Sequence, residues 1–343
     1  MEKEVCLADV TTLSLNNKIY GHFYSVAKQY NLLFKNENFK VLGGATYQEY
    51  TEFKNNRFYK LPFFIKKEGE PKILKFAKEL INAMICVNHR CDALVFQSYS
   101  KLPIYISLAL CNPKSKVYMI EYQYSNKKGI TGFFRKIALK KVKGIITSTD
   151  QVGKAYDRSY VKVPDYIYTP SNAPKIEKKY DFAMLGTVAN DKDYEDVISS
   201  IKNKKFRVLL AGKFLDSDRL RSIESIAGNN VEIINEYLSD EDYYKYIRES
   251  KFIVLPYIPS THTGKSSGVV LDSIYQGTPV IATNIDTFSF VEKYKLGILY
   301  SNSFQEVIES EQINGSFDRQ IDNYLRQQYV QTQALKEFIL SER

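Results

Sequence analysis

Short runs of Val, Ile and Leu recur along the chain, separated by longer stretches whose apolar residues follow a helical period. The runs do not alternate with polar residues, the pattern of strands covered on both faces, as in a parallel sheet. In the first half this predicts strands at Val5–Val10, Lys40–Leu42, Ala93–Gln97, Lys116–Tyr122 and Gly144–Ser148. Helices are predicted between them near Gly21–Phe34, Pro71–Val87, Pro103–Cys111 and Gly132–Lys141. Val161–Lys179 carries three of the ten prolines and reads as a linker. A second series then predicts strands at Tyr180–Leu185, Phe206–Ala211, Val231–Asn235, Phe252–Pro256 and Pro279–Thr283, and a long polar helix from about Asp318 to Leu340. The repeated βα rhythm predicts an α/β protein with two doubly wound parallel-sheet domains and right-handed crossovers.

Composition narrows the class. With 343 residues the chain is long enough for two cores, and no run approaches the roughly 18 apolar residues of a membrane span. The N-terminal MEKEVCLADV has acids and no apolar core, so no signal peptide is expected. Cys6, Cys86, Cys91 and Cys111 are scattered without a C-x-x-C, and the three histidines do not cluster. The expectation is a cytoplasmic protein with reduced cysteines and no metal site. A net charge of +9 suggests an anionic partner: nucleic acid, a membrane surface or an anionic sugar nucleotide.

The most informative stretch is Phe252–Thr283, FIVLPYIPSTHTGKSSGVVLDSIYQGTPVIAT. It reads as a buried strand, a polar loop, a helix beginning near Ser266 and a second buried strand. Ser266-Ser267-Gly268 at the helix start offers free backbone N–H groups and the positive end of the helix dipole, a ready phosphate site. Gly264-Lys265-Ser266 imitates the end of a P-loop, but the glycine needed five residues earlier is Pro259, which has no N–H and a fixed φ.

The arrangement and wording resemble the donor-binding segment of family 4 glycosyltransferases of the GT-B fold. There a Pro-Ser-like loop, an S-x-G-x-x-x-E/D helix and a G-x-P-V-I-A strand hold the diphosphate and sugar of a nucleotide-sugar. The resemblance implies two Rossmann-like domains facing across a cleft. They would be an acceptor-binding domain over 1–168 and a nucleotide-sugar domain over 169–320, with a C-terminal helix, 321–343, packing back toward the first. It also implies donor-binding roles for Gly186, Lys192, Lys213, Tyr257, His262, Thr263, Lys265, Ser266, Ser267, Gly268 and Asp272. Lys192 matches the lysine of the family's G-R-x-x-x-x-K loop, whereas Thr187 replaces its arginine and removes a bidentate guanidinium. Asp272 stands at the second glutamate of the E-x7-E signature, expected on the ribose; Gly264 stands at the first. Asp272 also reads simply as part of a polar helix face, and Lys192 as a solvated lysine.

In the first domain, Asp9, Tyr20 and Tyr99 are expected on the acceptor side, and His22 and Glu121 are the catalytic candidates. Glu121 stands where family members often have a histidine; it reads as a general base or as a strand-end carboxylate paired with Lys127 or Lys128. Asp216-Ser-Asp218 imitates a manganese-binding D-x-D, but it stands at a helix start, where capping is the expected role. No cofactor and no metal are therefore expected.

Between Lys127 and Lys143 lie seven basic residues and no carboxylate, including Lys128, Arg135, Lys136, Lys140 and Lys141. Ile130, Phe133, Phe134 and Ile137 fall among them at helical spacing. This reads as a core-facing stripe with a solvated basic back, as a patch docking peripherally on the inner face of the plasma membrane, or as a nucleic-acid surface without the usual signatures. The leading expectation is a metal-independent hexosyl- or deoxyhexosyl-transferase. It would move sugar from a nucleoside-diphosphate-sugar to a glycan or lipid-linked acceptor in bacterial surface polysaccharide or capsule synthesis, with no nucleic-acid partner. A non-catalytic glycan-binding partner subunit and a UDP-sugar 2-epimerase are the alternatives.

Overall fold

The computed structural model describes residues 3–15, 18–19, 23–54, 56–66, 69–97, 101–121, 128–148, 150–164, 167–168, 176–262 and 267–341. The chain divides into two compact units, Met1–Thr169 together with Gln328–Arg343, and Pro170–Gln327.

The first unit is built on seven strands: β1 (Glu4–Ala8), β2 (Asn38–Gly43), β3 (Phe58–Lys60), β4 (Ala93–Phe96), β5 (Lys116–Ile120), β6 (Val142–Thr147) and β7 (Tyr160–Lys162). They pair in parallel in the order β7-β6-β5-β4-β1-β2-β3. Helices α1 (Phe23–Leu33), α2 (Lys72–Asn88), α3 (Lys101–Leu110), α4 (Gly129–Leu139) and α5 (Asp150–Ala155) connect them. Alternate strand residues feed two separate cores: Cys6, Ala8, Leu94 and Phe96 in one, Val5, Leu7, Val41 and Val95 in the other. Both faces are apolar, which is why the runs do not alternate.

The second unit repeats the plan with six parallel strands: β8 (Tyr180–Leu185), β9 (Val208–Ala211), β10 (Val231–Ile234), β11 (Ser250–Leu255), β12 (Val280–Thr283) and β13 (Gly297–Tyr300). Their order is β10-β9-β8-β11-β12-β13. Its helices include α6 (Tyr194–Ile201), α7 (Ser217–Ile226), α8 (Asp240–Glu249) and α9 (Gly268–Tyr275). Both sheets thus follow the doubly wound order in which the strand sequence reverses direction beside the first strand. At that reversal the two crossovers leave in opposite directions, and ligands bind outside the carboxyl ends of the strands there. The doubly wound α/β class expected from the sequence is borne out.

The final helix, α10 (Asp318–Leu340), begins in the second unit and ends in the first. Leu335 and Ile339 are buried among Tyr118, Ile120, Ile146 and Val163. Tyr118 Oη donates to Phe338 O at 3.2 Å, and Lys116 Nζ to Ser341 O at 2.9 Å. Gly144 makes room for Phe338: a Cβ there would lie 2.3 Å from the ring.

Several elements escaped the sequence. β3 and β7 hold three residues each, too few for a periodicity to register, and the small sheet of Leu13–Leu15, Lys18–Ile19 and Ile65–Lys66 has the same cause; β13 opens on Gly297 and buries only Ile298 and Tyr300. The stretch read as a linker from Val161 starts too early. Val161 and Lys162 lie in β7, and Val163 and Ile167 are buried in the first unit's core.

Leu335→Ala should destabilise the first unit by about 2–5 kcal/mol through lost transfer energy and the cavity left behind. Urea unfolding followed by a probe in the first unit checks this. A midpoint unchanged from wild type would mean that the last turns of α10 are not part of that core.

Candidate functional site

The second unit's reversal lies between β8 and β11, and the loops leaving these two strands meet. After β8 the chain turns at Gly186 (φ +99°), and β9 is followed by Gly212 (φ +153°). A Cβ on Gly212 would lie 1.7 Å from Gly186 O, so only glycine lets the two strand ends approach so closely. The loop then runs antiparallel to the chain after β11, with Lys192 bridged to Tyr257. Asp193 N donates to Pro256 O at 2.7 Å and Ile258 N to Asp191 O at 2.9 Å.

This bridging buries Lys192. Its ammonium lies 5.1 Å from the Tyr257 ring centroid and 5.8 Å from that of Tyr194. Burial lowers its pKa, with the Asp191 carboxylate opposing that shift and Arg219 adding to it. Asp191 Oδ1 is itself buried without a hydrogen-bond partner among the described residues. Tyr257 Oη reaches Ser267 Oγ at 3.1 Å. Ser267 is the N-cap residue of α9, yet its side chain makes no capping bond. A buried cation, a tyrosine hydroxyl and the start of a helix therefore come together at the crevice. Each favours an anion: the rings shield the ammonium from water, and the dipole adds positive potential.

Asp272, in the second turn of α9, is held by Tyr243 of α8, whose hydroxyl donates to Oδ2 at 3.2 Å, and by Tyr244. Burial raises its pKa to about 7, against these two hydrogen bonds. The simple polar-face reading is corrected, since the carboxylate is half-buried and specifically bound. The solvated reading of Lys192 is corrected likewise. Lys213 follows Gly212 and is half-buried, its carbonyl accepting from Val188 N at 3.0 Å. Thr263, Lys265, Ser266 and the side chain of His262 lie outside the described residues, as do Tyr20, His22, Tyr99 and Lys127.

Arg219, which sequence reasoning missed, organises the loop after β8. From α7 its guanidinium donates to the carbonyls of Ala189 and Lys192, to Asn190 Oδ1 at 3.1 Å and to Glu195 Oε2 at 2.9 Å. It clamps the loop that carries Lys192 but does not replace the arginine absent at Thr187, because its donors are engaged within the loop. No local sequence signal marks it, since it lies 27 residues beyond Lys192. Asp216 caps α7 as expected, Oδ1 accepting from Asp218 N at 2.8 Å, while Asp218 pairs with Arg221.

In the first unit, Asp9 follows β1 at the equivalent reversal. It is buried, accepting from Thr12 N at 2.8 Å and Tyr47 Oη at 3.0 Å, and burial raises its pKa to about 6. Its carboxylate organises the loop that follows. Glu121, at the end of β5, is completely buried. The phenols of Tyr105 and Tyr156 hydrogen-bond to it, and burial together with its charge pushes both tyrosines up. Arg135 is also buried, its guanidinium 4.9 Å from the Tyr156 ring centroid. Pairing of Glu121 with Lys128 is corrected: Lys128 is exposed, and Glu121 turns inward to the two tyrosines. Among the described residues the carboxylate is enclosed in this buried network.

The basic stretch is corrected in two places. Arg135 faces inward, and Lys141 Nζ donates to Ala109 O and Cys111 O at 3.2 and 3.0 Å, closing the end of α3. Lys128, Lys136 and Lys140 are exposed. The single core-facing stripe also divides: Phe134 packs against the core, whereas Ile130 and Phe133 are 72% and 63% exposed.

Residues 181–310 match the family described as Glycosyl transferases group 1, which bears out the resemblance and supports glycosyl transfer in general. No curated protein matches the chain. Among solved structures, the chain is similar to AviGT4, a glycosyltransferase involved in avilamycin A biosynthesis (12% identity, 98% of this chain and 97% of that chain, TM-score 0.59). It is also similar to a putative UDP-N-acetylglucosamine 2-epimerase from Listeria monocytogenes (12%, 98% and 96%, TM-score 0.62). A third similar structure is MurG of Acinetobacter baumannii (12%, 98% and 99%, TM-score 0.52). At these identities the likeness shows the fold, that of GT-B glycosyltransferases.

The raised pKa of Asp272 carries a sign. Its folded value lies above the roughly 3.9 of a free aspartate, so the stabilisation from protonation is complete below about pH 4 and is lost as pH rises through 7. Asp272→Asn cannot ionise and should gain stability relative to wild type between about pH 4 and pH 8. Urea midpoints of both proteins across that range check it. A constant offset would contradict the assignment.

Proposed function

We propose that the protein transfers a sugar from a nucleoside-diphosphate-sugar to a glycan or lipid-linked glycan acceptor in bacterial surface polysaccharide synthesis. The observation that carries this reading is the buried ammonium of Lys192 beside Tyr257, Ser267 and the start of α9. A buried cation is costly unless an anion compensates it, and a diphosphate here would meet the ammonium and the N–H groups of Ser267 and Gly268 together. Asp272, one turn further along α9, is the candidate for the ribose hydroxyls, and ionisation above about pH 7 strengthens it as an acceptor. Lys213 completes the positive flank, and the departing diphosphate is stabilised by fixed cations and backbone dipoles without a metal.

Lys192→Ala should weaken binding of the donor nucleotide by about 1.5–3 kcal/mol, the range for a hydrogen bond to a charged group. Calorimetric titration with UDP, GDP and dTDP measures this. Unchanged affinity for the nucleotide that binds wild type would remove Lys192 from the site. Transfer should persist in EDTA, and abolition by chelator with recovery on manganese would overturn the metal-free mechanism. Similarity to a 2-epimerase makes a second activity worth separating: epimerisation of UDP-N-acetylglucosamine without any acceptor would replace transfer as the reaction.

For location, no helix among the described residues is long and apolar enough to cross a membrane. The exposed Ile130 and Phe133 beside Lys128, Lys136 and Lys140 support peripheral docking of α4 on an anionic bilayer, each lysine contributing up to about 1 kcal/mol near the surface. Co-sedimentation with phosphatidylglycerol vesicles should fall with salt and with Lys136→Glu/Lys140→Glu, and Phe133→Ser should reduce it further. Equal binding to neutral and anionic vesicles would overturn the electrostatic docking.

A further inference from the structure

Opposite the strand ends that carry Asp9 and Glu121, the amino ends of β1 and β4 gather residues that the sequence scatters. A carboxylate oxygen of Glu4, Sγ of Cys6 and a ring nitrogen of His89 all lie within 4.8 Å of one another. Cys91, just before β4, lies beside this group and outside its mutual 4.8 Å: the Cys6 thiol hydrogen-bonds to it. Glu4 and Cys6 share a face of β1 because side chains two apart on a strand point the same way. His89 and Cys91 flank the turn from α2 into β4, so the βαβ unit closes the cluster.

From this geometry we propose that Glu4, Cys6 and His89, with the neighbouring Cys91 drawn in as fourth ligand, form a site for a thiophilic divalent cation of the zinc class, structural in role. Two sulfurs, one imidazole and one carboxylate are a donor set that zinc takes in tetrahedral arrangement. A second layer already holds these groups. Ser115 Oγ donates to His89 O at 3.0 Å and accepts from Cys91 N at 3.0 Å, and the Tyr59 ring packs 4.8 Å from the imidazole. Lys40 Nζ donates to Glu4 Oε1 at 2.7 Å and orients that carboxylate. A groove of about 460 Å³ lined by Tyr59, Met84, Asn88, His89 and Arg90 gives the cation a path to the imidazole. Metal–sulfur bonds form to thiolates, so any proton a sulfur carries leaves as the metal binds.

The test uses tag-free, fully reduced, metal-stripped protein titrated with cobalt(II). Binding should give the intense visible bands of tetrahedral cobalt with thiolate charge transfer at one equivalent, bleached by one equivalent of zinc. Cys6→Ser and Cys91→Ser should each abolish the charge-transfer band, His89→Ala should weaken binding at least about tenfold, and Cys111→Ser should change nothing. As a readout independent of variant folding, zinc should protect Cys6 and Cys91 of the wild type from alkylation. No cobalt band, or a band that survives both serine variants, overturns the site. So does oxidation of Cys6 and Cys91 to a disulfide by mild peroxide with no metal uptake beforehand, which would make the pair a dithiol instead.

Discussion

A parallel strand cannot return to its neighbour through a tight turn, and this constraint shapes both units. Each return requires a crossover, the crossovers cover both faces of the sheet, and the strands must then be apolar throughout. Polar chemistry is thereby displaced to the strand ends. Where the strand order reverses, the crossovers part and leave a crevice, and there the second unit places Gly186, Lys192, Tyr257 and Ser267. The close approach of Gly186 and Gly212 brings the two loops near enough for Val188 to bridge Phe214. The site is thus a by-product of sheet topology, refined by local hydrogen bonding.

The strands of the two sheets were legible because burial on both faces leaves a compositional mark. Tyr180–Leu185 and the long helix Asp318–Leu340 could be bounded from sequence alone. Lys192, Ser267 and Asp272 were legible through a family resemblance in their spacing. What escaped depends on contacts between distant residues. Arg219 reaches back to the Lys192 loop, Tyr105 and Tyr156 converge on Glu121 from two other elements, and Cys6 meets Cys91 across neighbouring strands. No window of sequence contains such pairs. The inward turn of Arg135 was hidden for a related reason: a helical wheel gives the angle of a residue but not the Tyr156 ring that its guanidinium meets.

The two strand-end carboxylates of the first unit show how burial assigns roles. Asp9 and Glu121 occupy positions where a ligand-facing acid would be placed by analogy, yet each is surrounded by hydroxyl donors from its own unit. Asp9, accepting from Thr12 N and Tyr47 Oη, fixes the geometry of the loop after β1. In the second unit Lys192 is buried against aromatic rings, and Asp191 Oδ1 is buried without a hydrogen-bond partner among the described residues.

The division of α10 between the units has a consequence for biogenesis. Leu335 and Ile339 complete a core whose other members, Tyr118, Ile146 and Val163, lie some 170 or more residues earlier in the chain. A ribosome delivers those earlier residues first. The amino-terminal sheet therefore emerges with an apolar face uncovered and keeps it so while the whole second unit is synthesised. Only the last helical turns close it. The first unit is synthesised before the second and finished after it, so termination between the second unit and the last turns of α10 would release a chain with an intact second sheet and a sticky, unfinished first one.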